Sequence, residues 1–511
     1  MLQVNEIRRP VEGFFTPGVI VGLIVVTVLA GALIWVLPAA SMDQGSVQVI
    51  FGATIFFMLL CLGLGSAIVQ RVDLRSMVYK LTLITWCVLL LCTVYFSRVN
   101  DSYSMGQGGF SILAYGEGAM WIVCFVVLMV LTARKPAYIG QLFHGAPLWI
   151  TLFSGFCIIS IAWAPGAAYA LAWGFKLVLT IGLLQLCSSL MENVSDVTKF
   201  LKTTVVAFVF LSVVPLYFAF TDPSGPWEDD RLAANPDLLS PTAASLMLMS
   251  MILFSITKKR YYSYTAFVGA VVMVLAFGKA GIVGGVLGAV LYVMLQKKVV
   301  KSLGFLLGMA AMGLFIISVT PLGQYMQTYR GGSTLTGRTA IWTTALAAVK
   351  NKPIFGHGYL GTYFSWENTS GLESGAVHLH NGFLEVAYND GAIGELLLLM
   401  VHFMIIRNIF RSMQTSKVLR NKDPDNQEAW HIYLLTIGCL AIYVHSFIQG
   451  LFGADFGGRC MSPYMLFLAI FMVADVSRRL NEKLLVRMSR HPEPVYAAQP
   501  FSPMELAPSQ N

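Results

Sequence analysis

Three side chains with complementary chemistry fall close together in this chain. They are Arg338, His380 and Glu385. A guanidinium stabilises charge that develops on a departing anion. An imidazole accepts a proton from an incoming hydroxyl. A neighbouring carboxylate, Glu385 or Asp390, could orient the imidazole or a sugar. All of them lie in residues 321–391, the long gap between apolar runs, together with Arg330. A lipid-embedded chain rarely keeps such groups at a membrane face for packing alone.

Two helices are expected to carry them. From Arg338 to Val349, the residues Ile341, Trp342, Ala345, Leu346 and Val349 recur at the spacing of one apolar face. Thr336 is the expected N-cap, and Asn351-Lys352-Pro353 the stop. Arg338 shares the face of Ile341 and Trp342. On the buried side it needs an anionic partner, a protein carboxylate or a ligand phosphate, and its fork suits phosphate. His380 is expected to open the second helix, with Phe383, Leu384, Ala387 and Tyr388 on one face and Gly391 as C-cap. Backbone N–H groups at a helix start favour a neutral imidazole. The alternative is a histidine that only caps a turn. His378, His380 and His357 also suggest a zinc set, but no tidy helical ligand pair supports it and no metal is expected.

Further cations stand where lipid should exclude them. Lys176 lies inside the apolar run Trp173-Gly174-Phe175-Lys176-Leu177. It either serves a cavity or snorkels to the interface. Lys279 sits in the tight turn Phe277-Gly278-Lys279-Ala280-Gly281, pointing a cation along the membrane surface or simply into solvent. Arg231 follows Glu228-Asp229-Asp230. It either pairs with them or leaves them to bind a divalent cation. Asp455-Phe456-Gly457 matches a kinase triplet but lacks every other kinase element.

The elements that must position these groups are membrane helices. Hydrophobic residues make up 56% of the 511 residues and charged residues 12%, against roughly 25% charged in soluble domains. About fourteen apolar segments are expected: near 18–38, 47–69, 77–96, 113–132, 147–163, 169–190, 200–220, 241–257, 262–277, 280–296, 302–320, 392–410, 431–451 and 460–476. Backbone groups in hydrocarbon must bond internally, so these are helices. The first reads as a retained anchor. With the N-terminus inside, Arg71, Arg75, Arg134, Lys135, Lys258, Lys259, Arg260, Lys297, Lys298, Arg411, Lys417 and Arg420 fall on the cytoplasmic side, as does the basic tail. That arrangement accounts for the net charge of +8 without nucleic acid. It also puts 221–240 and 321–391 outside. The eight cysteines lie in or beside helices, so disulfides do not order those loops. The expected organisation is 1–146 as N-terminal helices, 147–476 as the membrane domain with 321–391 as its active loop, and 477–511 as a largely disordered cytoplasmic tail.

These residues resemble the O-antigen ligase and polymerase superfamily of bacterial envelope proteins. His380-Asn381, Gly391 and Gly394 meet its pattern of His-Asn, nine residues, Gly, two residues, Gly. Leu335 to Trp342 resembles its Gly-Arg…Trp helix, and Pro353-Ile354-Phe355-Gly356-His357-Gly358 its Pro-x-x-Gly-x-Gly turn. Ser160-Ile161-Ala162-Trp163 followed by Lys176 resembles its Ser-x-x-Trp segment and basic helix. Arg231…Asn235-Pro236 resembles its outer loop with the Pro-Asn order reversed. Gly278-Lys279 stands where relatives carry Ser-Arg, keeping charge without bidentate geometry. The likeness covers about residues 150–470, and the helix count exceeds the family's usual one, so the first pair reads as an addition.

The resemblance implies an all-α polytopic membrane protein with a type C glycosyltransferase-like fold in the bacterial inner membrane, both termini cytoplasmic. It implies an inverting, metal-independent glycosyltransferase that uses no cofactor. The substrate would be an undecaprenyl-diphosphate-linked oligosaccharide, polymerised as repeat units of an exopolysaccharide or O-antigen at the periplasmic face. His380, Arg338 and Arg231 are the expected catalytic residues. Lys279, Lys176, Arg330, Asn381 and Glu385 are the expected substrate contacts. Membrane lipid, a flippase and chain-length regulators are the expected partners. The alternatives are a ligase transferring finished glycan to lipid A-core or protein, and a non-enzymatic transporter. The transporter reading lacks paired, broken helices in two related halves.

Overall fold

The computed structural model describes residues 74–91, 112–133, 143–221, 227–228, 231–232, 236–297, 299–319, 338–362, 379–453, 456 and 460–490. The described part is helical apart from one two-residue hairpin. In chain order the elements are α1 (Leu74–Leu91), α2 (Ile112–Ala133), α3 (Gly145–Ser160) with a 3-10 turn (Ile161–Trp163), α4 (Ala167–Leu190) and α5 (Val194–Thr221). There follow β1 (Trp227–Glu228) paired antiparallel with β2 (Arg231–Leu232), then α6 (Pro236–Thr257), α7 (Arg260–Leu275), α8 (Lys279–Leu295) and α9 (Val299–Val319). The last are α10 (Arg338–Asn351), α11 (Gly382–Lys422), α12 (Gln427–Phe452) and α13 (Ser462–Arg490).

Each expected span from 77–96 onward coincides with a helix; 18–38 and 47–69 lie outside the described residues. Among the described residues six helices are long and apolar enough to cross a membrane, and three further apolar stretches are shorter. The count of about fourteen spans therefore remains an expectation. What stands is a multi-pass helical membrane protein.

Small residues let the helices close on one another, as expected where lipid removes the hydrophobic drive for helix association. In α8, Gly284 lies against the backbone of His445 and Gly288 against Ala441, whose carbonyl would be 2.6 Å from an added Cβ at Gly288. Rising numbers on α8 meet falling numbers on α12, so the two run antiparallel and Lys279 stands level with Gly450. Gly281 packs on Ser240 and Pro241 of α6. The Ser240 hydroxyl lies 3.1 Å from Gly278 O and 3.2 Å from Met273 O, which pins the α7–α8 turn.

The helix ends farther along α4 and α13 are tied by ion pairs. Arg75 meets Glu192 and Asp196, Lys199 meets Asp196, Arg478 meets Asp475 and Glu482, and Arg479 meets Asp475. Arg479 also donates to Ser188. These charges hold helix ends together and are absorbed by structure.

Candidate functional site

The site is built around a helix that turns back on itself. Gly391 has φ 64° and ψ −162° inside α11, a conformation close to the glycine-only region. It ends one helix and starts another, so it both closes the expected 380–391 helix and opens the expected 392 span. The fold-back is sharp: the rings of Phe383 and His402 are 5.3 Å apart although nineteen residues separate them.

The Pro353–Gly358 turn fills the break. His357 N–H donates to Tyr388 O at 2.9 Å and Gly358 N–H to Asn389 O at 2.7 Å, satisfying the carbonyls where the first helix ends. Ala392 N–H donates to Pro353 O at 2.8 Å and Ile393 N–H to Ile354 O at 3.3 Å, satisfying amides where the second begins. Gly356 (φ 67°) and Gly391 are in backbone-to-backbone contact. These are the groups that a helix break leaves without intrahelical partners.

A buried clasp locks α3 to the same point. The Ser160 hydroxyl donates to Asp390 Oδ1 at 2.7 Å, with Cys157 O at 2.8 Å as its other acceptor. Ser160 Oγ accepts Tyr359 N–H at 2.9 Å, and Cys157 Sγ–H points at Asp390 Oδ2 at 3.5 Å. Thr362 N–H donates to Asn389 Oδ1 at 3.0 Å. The Ser160 segment, the glycine turn and the Gly391–Gly394 pair, distant in sequence, are thus one junction. Asp390 serves it as a structural carboxylate.

α10 lies beside the first part of α11 and runs the same way. Trp342 Nε1–H donates to Leu379 O at 2.8 Å, Ala345 and Ala348 pack with Leu379 and Tyr388, and Pro353 meets Ala392. This register places Arg338 and His380 at the same end of two parallel helices. Helix α10 starts at the expected residue; Thr336 lies outside the described residues.

His380 does not itself open α11. It has φ 49°, in the left-handed region, and Asn381 is the N-cap, its Oδ1 accepting Leu384 N–H at 3.0 Å. The Asn381 Oδ1 is thereby engaged in capping. His380 lies at the end of this first part of α11 that is far from the Gly391 break. The first part of α11 runs alongside residues up to His402, eleven past the break, or ~16 Å at 1.5 Å per residue. The imidazole is half-buried at that end. Glu385 is fully buried.

Arg338 is half-buried and donates to Phe452 O, the last residue of α12, at 3.0 Å. A backbone carbonyl takes the place of the expected anionic protein partner, and a cation at a helix C-terminus is favoured there. Lys279 is exposed at the first residue of α8, at the same end of the α8–α12 pair as Phe452. Among the described residues neither Arg338 nor Lys279 has a carboxylate partner. Lys176 does not snorkel: it is fully buried, its Nζ 4.7 Å from the Trp173 ring centroid and 4.9 Å from that of Trp121. Arg231 is in β2, where only its backbone is described, and Arg330 and His378 lie outside the described residues. His357 packs edge-on against Tyr388, and burial followed by Lys352 lowers its pKa, keeping it neutral.

The residue that joins these groups is Phe456. It is fully buried, contacts Gly382 and Gly450, and packs on Phe383 at 5.3 Å, His402 at 4.8 Å and Phe467 at 4.8 Å. Four residues on, Cys460 lies 3.5 Å from Thr180, one turn beyond Lys176. Arg338 thus meets the end of α12, Gly382 beside His380 meets Phe456, and Cys460, in the segment that follows α12, meets the helix that carries Lys176. Only an aromatic between two glycines, Gly453 and Gly457, marked that segment in sequence.

Residues 264–399 match a family model described as O-antigen ligase. This span runs from α7 through the Gly391 break. The chain is also 24% identical over 389 residues to the exopolysaccharide production protein ExoQ of Rhizobium meliloti (strain 1021), covering 68% of this chain and 80% of the relative. The two similarities support an O-antigen ligase/polymerase-like superfamily.

Proposed function

With that superfamily likeness as premise, we propose that the protein transfers a glycan from undecaprenyl diphosphate to a sugar hydroxyl at the periplasmic face. The preferred reaction joins repeat units of an exopolysaccharide or O-antigen. The donor's glycosidic bond breaks as the acceptor oxygen attacks from the opposite side, which inverts the anomeric carbon. The bonding electrons leave with the diphosphate. Fixed cations stabilise the charge that develops there, and Arg338, Lys279, Arg231 and Arg330 are assigned to that task without a metal ion. Lys176, screened by tryptophans, contributes field from below. His380 positions the acceptor hydroxyl and takes its proton. Asn381 fixes the helix start that follows His380, and Glu385 lies buried one turn further on.

The observation that carries this reading is the common register of α10 and α11. It brings Arg338 and His380 to one end, where Arg338 meets Phe452 at the same end of the α8–α12 pair as Lys279, a cation with no carboxylate partner among the described residues. The test is chain extension by purified protein on lipid-linked repeat units in the presence of chelator. Longer glycans and released undecaprenyl diphosphate are expected. Full activity of folded Arg338→Ala and His380→Ala would remove the site assignment.

A ligase reading draws on the description of the matched family model. A deletion strain separates the two. Single repeats without long polymer indicate a polymerase, and long polymer left on the lipid carrier indicates a ligase.

A further inference from the structure

The turn that fills the Gly391 break carries two features its packing role does not use. Ile354 and Phe355 turn outward, 56% and 55% exposed. Lys350 and Lys352 beside them are exposed too. In a loop surrounded by water, a large apolar pair gains nothing from that exposure, and evolution of a polar loop supplies no reason for it.

Their surroundings show what covers them. Along α3, Leu152 (43%) and Ile159 (63%) lie exposed on one stripe of a helix apolar enough to cross a membrane. Trp163 closes that stripe, packing edge-on with Phe156 at 6.4 Å and with Phe355 at 6.1 Å. Past Gly391, α11 exposes Leu396, Leu399 and Phe403 on its own outer stripe, beginning one turn after the turn's contact with Ala392 and Ile393. Two exposed apolar stripes thus run up to the same turn, and Ile354 and Phe355 continue both of them. Lys350 and Lys352 flank the turn and are exposed. Aromatic side chains next to lysines at the end of apolar spans are the pattern of a bilayer–water boundary.

We infer that the 350–355 turn is an interfacial anchor seated in the phospholipid headgroup layer. Ile354 and Phe355 enter the acyl boundary, and Lys350 and Lys352 meet lipid phosphates. Part of the long loop expected to lie in water is therefore bound to the leaflet. Because the same turn ends α10 and braces α11, the anchor fixes the height of both site-bearing helices relative to the lipid surface. The inference needs only the membrane placement of α3 and α11 and is independent of the proposed reaction.

The test is depth measurement by spin labelling. Ile354→Cys, Phe355→Cys and Lys350→Cys are each labelled with a nitroxide in nanodiscs of phosphatidylethanolamine and phosphatidylglycerol, with the signal of the unsubstituted protein subtracted. All three positions are exposed, so folding is not at stake, and each variant's elution and melting are compared with the parent. Collisions with oxygen, relative to an aqueous nickel chelate, are expected to be several-fold higher at 354 and 355 than at 350. Equal nickel access at all three overturns the anchor, whether water, glycan or another protein then occupies the turn. Low access of both reagents at 354 and 355 also overturns it, since that marks burial against protein.

Discussion

Gly391→Ala is the sharpest test of the junction that positions His380. An alanine there must hold φ 64° and ψ −162°, a backbone state worth about 1–3 kcal/mol of strain for a residue with a side chain. The new Cβ would also lie 2.6 Å from Gly356 N and against the Ile354 carbonyl. The turn must move, and four inter-segment bonds at 2.7 to 3.3 Å depend on its position. At about 1 kcal/mol net per bond, losing most of them brings the total to ~3–6 kcal/mol. That is a large part of a typical stability of about 5–15 kcal/mol. Gly155→Ala is the matched control, since an added Cβ in α3 meets nothing within 4 Å. It should be neutral or stabilising by up to about 1 kcal/mol. Melting of the purified proteins, followed by tryptophan fluorescence, reads the difference. The reasoning is refuted if Gly391→Ala melts together with the parent and with Gly155→Ala.

Other consequences are smaller and separable. Ser160→Ala removes the hydroxyl that bridges Asp390 and Tyr359 N–H and should destabilise by about 1–3 kcal/mol, read as a lower melting temperature. Trp342→Phe keeps the ring packing but loses the bond to Leu379 O. A fall in turnover of about tenfold with little change in donor KM is expected, because the carbonyl beside His380 is released while the cations stay. Lys176→Met keeps the stem's volume between Trp121 and Trp173, so the protein should fold while transfer slows in the chain-extension assay. His357 is held below its ordinary pKa of 6.5 by burial and Lys352. Its contribution to stability is therefore full above that value and is lost as pH falls below it. Melting temperature should drop on acidification from pH 7.5 to 5, and His357→Gln should flatten that part of the curve.

The helices were legible because each is a local property: an apolar run long enough for lipid fixes its own backbone. The same holds for Gly391, whose place after a periodic face marked a helix end. What followed the break was not legible. Nothing local says that α11 reverses against itself and brings Phe383 to His402. Asn381 carried a capping signal, a short polar residue before Gly382 and an apolar run, and it does cap α11. Ser160 and Asp390 are 230 residues apart, and no spacing rule links them. Lys176 was open between a cavity and the interface because sequence gives depth along a helix but not which face its neighbours cover; Trp121 and Trp173 decide it. Phe456 was dismissed with a chance triplet, although its place in the core depends on glycines from two other segments, Gly382 and Gly450.

The central claim is that Arg338 and His380 act on one lipid-linked substrate, the first on the departing diphosphate and the second on the acceptor hydroxyl. The most direct measurement is single-turnover transfer alongside donor affinity for the parent, Arg338→Ala and His380→Ala in nanodiscs. The account predicts that His380→Ala retains donor and loses turnover by about 10²–10⁴-fold, while Arg338→Ala loses both affinity and turnover. Parental donor affinity in Arg338→Ala together with parental turnover in His380→Ala would contradict it.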